Sequence, residues 1–177
     1  KKTDEPNGTY VTFRPDNIIF KNYRFQKDHL ENQLWNYAYL NSGLKLNYNG
    51  NIITSKNGLL DLLERKSKNE DLRYPIIHLK ADDLEVAMSH GNHYGEQYYS
   101  FVNGQNTTQG GSHLSAFKEA VVDTVKKFYN ANYDRTDILG SIVAAVSIRI
   151  EEPVFESQTK TKLGSVNIAP EGQTIRT

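Results

Sequence analysis

Ile142-Val143-Ala144-Ala145-Val146-Ser147-Ile148-Arg149-Ile150 leads into Pro153-Val154-Phe155-Glu156-Ser157-Gln158-Thr159-Lys160-Thr161-Lys162-Leu163-Gly164-Ser165. The first stretch predicts the best strand of the chain. Side chains alternate sides in extended backbone, which puts Ile142, Ala144, Val146, Ile148 and Ile150 opposite Val143, Ala145, Ser147 and Arg149. The second stretch follows that strand with five residues that have almost nothing to bury. If they are extended, Gln158, Lys160 and Lys162 face one way, and Thr159 and Thr161 the other. An amide and two ammonium groups in a row are all hydrogen-bond donors, an arrangement that suits an anion, and a phosphate above all. The alternative is a solvated polar loop, since lysines are mostly exposed.

Working outward, Thr9–Arg14 alternates with Val11 and Phe13 on one side, and predicts a strand ended by Pro15. Asp28 and Glu31 make a capping-box-like start, and Leu30, Leu34, Tyr37, Ala38 and Asn41 keep helical spacing up to Gly43. Leu44, Leu46 and Tyr48 predict a strand, Asn49-Gly50 a two-residue hairpin turn, and Ile52-Ile53 its return. Asn57 is placed to cap a short helix over Leu59, Leu60, Leu62 and Leu63. Ile76–Lys80, Leu84–Ser89 and Gln97–Val102 read as an antiparallel meander. After a polar loop over 103–111, Ser112 is placed to cap the longest helix. Leu114, Phe117, Val121, Val125 and Phe128 form its apolar stripe. The order β-α-β-β-α-β-β-β-α-β predicts an α+β fold, a mixed sheet with helices packed on one face.

A chain of 177 residues suits one domain with a real core. Formal net charge is zero, which disfavours nucleic-acid binding by bulk charge but leaves room for a local basic patch. There is no cysteine, so disulfide and thiolate chemistry are excluded. No apolar run approaches the roughly 20 residues of a membrane span. Residues 1–8 and 166–177 read as linkers, with 9–165 as the domain between them, as though cut from a longer protein.

Other candidate groups are weaker. His90 and His93 have metal-ligand spacing but lack a third ligand nearby, so no metal is expected. Asp82-Asp83 reads as a turn between strands. Gly110-Gly111-Ser112-His113 opens the long helix, where backbone amides could meet an anion or simply need a flexible entry. Lys118, Lys126 and Lys127 could touch a polyanion, diluted by Glu119 and Asp123.

Four segments together carry a family resemblance. Gly8-Thr9-Tyr10-Val11-Thr12-Phe13-Arg14-Pro15-Asp16 resembles G-T-x-V-x-F-x-P-D, and Leu40-Asn41-Ser42-Gly43 resembles F/L-L-N-x-G. Gly110 to Phe117 resembles G-G-T-H-x-x-G-F, and Pro153 to Gly164 resembles P-x-F-E-x-Q-T-K-x-K-L-G. In this order and spacing they are similar to the transducer domain of the ATPase (B) subunit of bacterial type IIA topoisomerases. The spelling around Glu152–Gln158 resembles the topoisomerase IV branch more than the gyrase branch. Ser112 and Ala116 depart from the usual Thr and Gly, and Asp137-Ile138-Leu139-Gly140 lacks the family's usual charged turn.

The resemblance implies a ribosomal-S5-domain-2-like sandwich. It implies that Gln158 and Lys160 contact the γ-phosphate of ATP bound by a preceding GHKL domain, with Lys160 as the catalytic candidate and Lys162 a less certain third contact. Lys118 matches a position facing the DNA-holding cavity. ATP and Mg2+ would be bound mainly by that other domain, so none is expected in this chain, which alone would be inactive. Implied partners are DNA, the topoisomerase A subunit through further domains, and a second B subunit in an ATP-dependent homodimer, all cytoplasmic. Three rival readings are an S5-like nucleic-acid-binding module, the second domain of another GHKL ATPase, and a purely structural domain with the Gln-Thr-Lys loop inert.

Overall fold

A computed structural model describes residues 7–168, 174 and 175. The elements run α1 (Lys27–Leu40), β1 (Leu46–Tyr48), β2 (Asn51–Ile53), α2 (Leu59–Lys66), β3 (Ile77–Lys80), β4 (Leu84–His90), β5 (Gln97–Val102), β6 (Gln105–Asn106), α3 (Ser112–Tyr129), α4 (Arg135–Leu139) and β7 (Ile142–Ile148). β1 and β2 form the hairpin predicted at Asn49-Gly50. Both turn residues have positive φ, 50° and 87°, the geometry that matches strand twist in a two-residue loop.

The main sheet has the order β3-β4-β7-β5-β6. The expected meander is therefore corrected. β3 and β4 pair antiparallel, but β7 inserts between β4 and β5, antiparallel to the first and parallel to the second. The class is α+β with a mixed sheet, as the element pattern predicts. The placement of the helices is different: they cover both faces. Leu59, Leu62 and Leu63 of α2, with Tyr39 of α1, pack on the face carrying Ala87, Val143 and Ala145. Val122 of α3, with Ile138 and Leu139 of α4, packs on the face carrying Ile142 and Ala144. The reason lies in β7, whose side chains on both faces are almost all buried. A central strand covered twice reads as a continuous apolar run.

Three local readings also change. No strand forms over Thr9–Arg14, and Tyr10, Val11 and Phe13 are exposed. Alternation supplies a face, but a strand needs a neighbour to pair with, and no described strand lies beside this one. Asn57 does not cap α2. Its amide groups donate to Asp61 instead, and the Leu59 N–H donates to Glu85 Oε1 at 2.7 Å, a cap supplied from β4. Within the expected C-terminal linker, Asn167 pairs with Thr174, and Glu151 N–H donates to Ile168 O at 3.0 Å. The remainder of that stretch, and residues 1–6 of the N-terminal one, lie outside the described residues.

His113 sits in the first turn of α3, 2% exposed. The Ser100 hydroxyl donates to the Thr107 carbonyl, at 2.8 Å. Thr107 Oγ1, 2.8 Å from Ser100 Oγ, is therefore the donor of that second contact. Its lone pair is left to accept from His113 Nε2 at 3.3 Å. Nε2 thus carries the proton, and burial lowers the His113 pKa to about 4. The folded state disfavours the imidazolium, so the stability this neutral ring contributes is whole above the unfolded value of about 6.5 and is lost as pH falls toward 4. Between those pH values the wild-type chain should lose roughly 3 kcal/mol more stability than His113→Phe, read by denaturant titration at each pH.

Candidate functional site

The polar stretch after β7 folds as a narrow hairpin. Phe155 pairs antiparallel with Leu163. Glu156 N–H donates to Lys162 O at 3.0 Å, and Gly164 N–H to Val154 O at 2.8 Å. Val154 N–H donates to Ser165 Oγ at 2.7 Å. These bonds close the base and push residues 157–160 into solvent.

The base is fastened to the start of α3. Gln109 N–H donates to Thr161 O at 2.9 Å, Leu163 N–H to Gly110 O at 3.0 Å, and Ser112 N–H to Leu163 O at 3.2 Å. Gly111 lies directly against Leu163. A Cβ at that position would overlap the Leu163 backbone, with Cα only 2.8 Å away, and Gly111 also has φ of 134°. Only glycine fits such an approach in that conformation. Leu163 then anchors the assembly in the core beside Val102, Val146 and Ile148. Ser112 is not the helix cap predicted for it. Gly111 holds the cap position, and the Ser112 hydroxyl donates to the Ser165 carbonyl. The Gly-Gly-Ser-His segment and the Gln-Thr-Lys loop, read separately in sequence, are one interlocked unit.

The row of donors is broken. Lys160 N–H donates to Ser157 O at 3.0 Å across a turn, and Lys160 has φ of 55°. The alternation of extended backbone ends there, so Lys162 does not continue the row. Its ammonium pairs with Glu156 at 2.9 Å. Gln158 and Lys160 are exposed, and their side chains have no hydrogen-bonding or ion-pair partner among the described residues. The arrangement can offer an amide and one ammonium to an anion that approaches from outside the chain.

Lys118 is engaged. Its Nζ lies 2.7 Å from Glu96 Oε2 and 4.1 Å from the centre of the Tyr98 ring. Burial alone would raise the Glu96 carboxyl, but its interactions with Lys118, Tyr98 and Arg135 together outweigh burial and hold its pKa below the ordinary value. Lys118 and Lys162 both line a cleft of about 360 Å³ between α3 and the hairpin base. Lys126 and Lys127 lie in the last turn of α3, where cations complement the helix dipole.

The remaining candidates do not join this site. His90 accepts from the Tyr74 hydroxyl at 2.6 Å and donates through Nε2 to Ile138 O at 2.8 Å. His93 lies 3.3 Å from Glu70. Among the described residues no three His, Asp or Glu groups converge on one point. Asp82-Asp83 forms the β3–β4 turn, closed by Ala81 N–H donating to Leu84 O. No helix among the described residues is long and apolar enough to cross a membrane.

The model of the family DNA gyrase B matches residues 52–175. The chain is 46% identical, over 98% of its length, to the B subunit of DNA topoisomerase 4 from Borreliella burgdorferi. It is 32% identical, over 93% of its length, to the B subunit of DNA gyrase from Helicobacter pylori. It spans 30% of the first relative and 24% of the second. The fold superposes on the 43K ATPase domain of Thermus thermophilus gyrase B with a TM-score of 0.67 and 28% identity, covering 93% of this chain and 49% of that one. It superposes likewise on the ATPase region of Saccharomyces cerevisiae topoisomerase II, with a TM-score of 0.69 and 23% identity, covering 80% of this chain and 37% of that one. The chain therefore belongs to the DNA gyrase B family as a domain of the B subunit of a type IIA topoisomerase, with greater identity to this topoisomerase IV relative than to this gyrase one.

Proposed function

We propose that residues 9–165 form the transducer of an ATP-hydrolysing type IIA topoisomerase subunit. In this reading the hairpin tip senses the γ-phosphate of ATP held by a preceding domain, with Gln158 and Lys160 as its contacts. The observation that carries the reading is the pairing of a donor-bearing, solvent-exposed tip with a base stapled to α3. An exposed ammonium and amide fit one anionic terminus and no more, so this chain is half of a site. The other half, with Mg2+, belongs to the preceding domain, and the isolated chain does not turn over ATP.

A charge-assisted hydrogen bond to phosphate is worth roughly 1.5–3 kcal/mol net. Two are on the order of 3–6 kcal/mol, enough to move a two-domain equilibrium by a factor of hundreds or more. Loss of the γ-phosphate then frees the tip. The backbone bonds at the base pass the change in tip position to α3 and the sheet behind it. Such coupling would turn ATP binding and hydrolysis into rotation of one domain against another, closure of a B-subunit dimer, and passage of one DNA duplex through another cleaved with the A subunit. The enzyme acts in the cytoplasm. Lys118 enters as a DNA-cavity residue only if a phosphate displaces Glu96 from it.

Two substitutions in the full-length subunit test this. Lys160→Ala should abolish ATP turnover while circular dichroism and melting stay those of the folded protein; near-normal turnover would sink the assignment. Gly111→Ala should cost roughly 2–4 kcal/mol of stability, from strain plus backbone overlap, and should lower turnover as well. Gly104→Ala is the control: φ is positive there too, at 80°, but nothing lies within 4 Å of the added Cβ. It should cost only about 1 kcal/mol and leave turnover intact.

A further inference from the structure

The outward face of the hairpin carries a charge pair that the two phosphate contacts do not use. Phe155 pairs with Leu163, and the Glu156 N–H donates to Lys162 O, so Glu156 and Lys162 stand directly opposite each other on the two strands. Side chains alternate along each strand. Leu163 is buried, and Phe155 packs against the same core cluster. Glu156 and Lys162 therefore point the other way, where their charges meet at 2.9 Å and both remain reachable from solvent. Among the described residues neither has a second ion-pair partner.

This pair sits just below the tip. Glu156 comes two residues before Gln158, and Lys162 two after Lys160. Two extended residues span at most about 7 Å. A lysine stem of four flexible carbons bridges that gap, so the Lys162 ammonium can reach an anion held at the tip. The hairpin carries two cations, Lys160 and Lys162, and one anion, Glu156. While Glu156 holds Lys162, only the Lys160 ammonium is on offer. The hold is weak, as exposed ion pairs are. A terminal phosphate carries roughly 1.5–2 negative charges and three acceptor oxygens, against one charge on the carboxylate, so it draws the ammonium away. Glu156 is then left as an unpaired negative charge beside a negative ligand.

On the transducer reading, we infer that Glu156 is a positioning residue that limits how tightly the tip holds a terminal phosphate. It withholds Lys162 until a phosphate reaches the tip, and its own charge opposes that phosphate afterwards. A diphosphate ends one phosphoryl group short of the tip and does not recruit Lys162. Glu156 therefore lowers affinity for the triphosphate and leaves the diphosphate untouched, which narrows the difference between the two states and eases release of the tip.

The test is calorimetric titration of the full-length subunit, with Mg2+, using the β,γ-imido analogue of ATP, which is not hydrolysed, and ADP. Glu156→Gln should bind the analogue about two- to fivefold more tightly and ADP as the wild type does, with melting unchanged. Glu156→Ala, which cannot hold the ammonium at all, should shift the analogue in the same direction. Raising salt from about 0.05 to 0.5 M should erase most of the gain, because exposed charges are screened. Lys162→Ala should weaken the analogue about tenfold or more and leave ADP alone. Unchanged or weaker analogue binding in both Glu156 variants, an equal gain for ADP, or a gain indifferent to salt would each overturn the role of Glu156. Lys160→Ala separates this role from the reading beneath it. If that variant turns over ATP almost normally, the phosphate-sensing reading falls and Glu156 with it. If it abolishes turnover while Glu156→Gln binds the analogue as the wild type does, the role of Glu156 alone falls.

Discussion

Strand β7 has no face turned to water and no free edge. β4 pairs with one side of it over seven residues, from Leu84↔Ile148 to His90↔Ile142, and β5 with the other over six. Its upper and lower side chains then enter separate cores, one closed by α1 and α2 and the other by α3 and α4. Burying a Val or Ile side chain contributes roughly 1.5–3 kcal/mol. Ile142, Val143, Val146 and Ile148 are all buried, so this one strand holds both layers to each other. It also decides where the hairpin can start. The chain leaves β7 at Ile148, is fixed again when Asn103 brackets Ile150 with hydrogen bonds of 2.8 Å in both directions, and turns outward only then.

The hairpin would swing on that exit if nothing else held it. What holds it is an absence, the missing side chain at Gly111. With no Cβ, the Leu163 backbone comes into van der Waals contact with the helix start and exchanges hydrogen bonds with residues on either side of it. Leu163 meanwhile carries its own side chain into the core, 1% exposed. Helix, hairpin and core are thus joined at one residue. A displacement of the hairpin base cannot be absorbed locally, because close-packed interiors transmit strain. This rigidity is what the proposed transfer of motion between domains would require.

Much of this was legible from residues that act on their neighbours. Asn49-Gly50 specifies its turn because both residues tolerate positive φ. The α1 and α3 stripes specify helices, and Asn130, in the left-handed conformation with φ of 48°, ends α3 by the same chemistry. What could not be read were choices made across the fold. Periodicity is local, and nothing in Leu84–His90 states that its second neighbour lies more than fifty residues later rather than in the next strand. Alternating Ala and Val along β7 looks like one buried face, since small apolar residues fill either side equally well. Glu85 replaces Asn57 at the start of α2 because a carboxylate from the sheet arrives there first in space, 26 residues away in sequence. The Gln-Thr-Lys motif marks the loop as donor-rich by residue type alone. The turn at Lys160 and the Glu156–Lys162 pair, which split its donors into two kinds, depend on a hairpin closure that alternation alone does not contain.

That split has an energetic consequence. The Glu156–Lys162 pair is solvent-exposed, with side chains 53% and 42% accessible, and such pairs contribute about 0–1 kcal/mol. A phosphate contact at Lys160 or Gln158 is worth more than that pair, so Lys162 can be drawn away from Glu156 at little cost if a phosphate comes within reach. The base is the opposite case. Five of its backbone hydrogen bonds join the hairpin strands to each other or to the helix start, and breaking those made by the buried Leu163 and Gly110 would bare polar groups at about 1–3 kcal/mol each. The tip can therefore change partners while the base stays closed. The proposed phosphate contact needs the first property and the proposed coupling to α3 needs the second, and in this hairpin the two are separated by fewer than five residues on either strand.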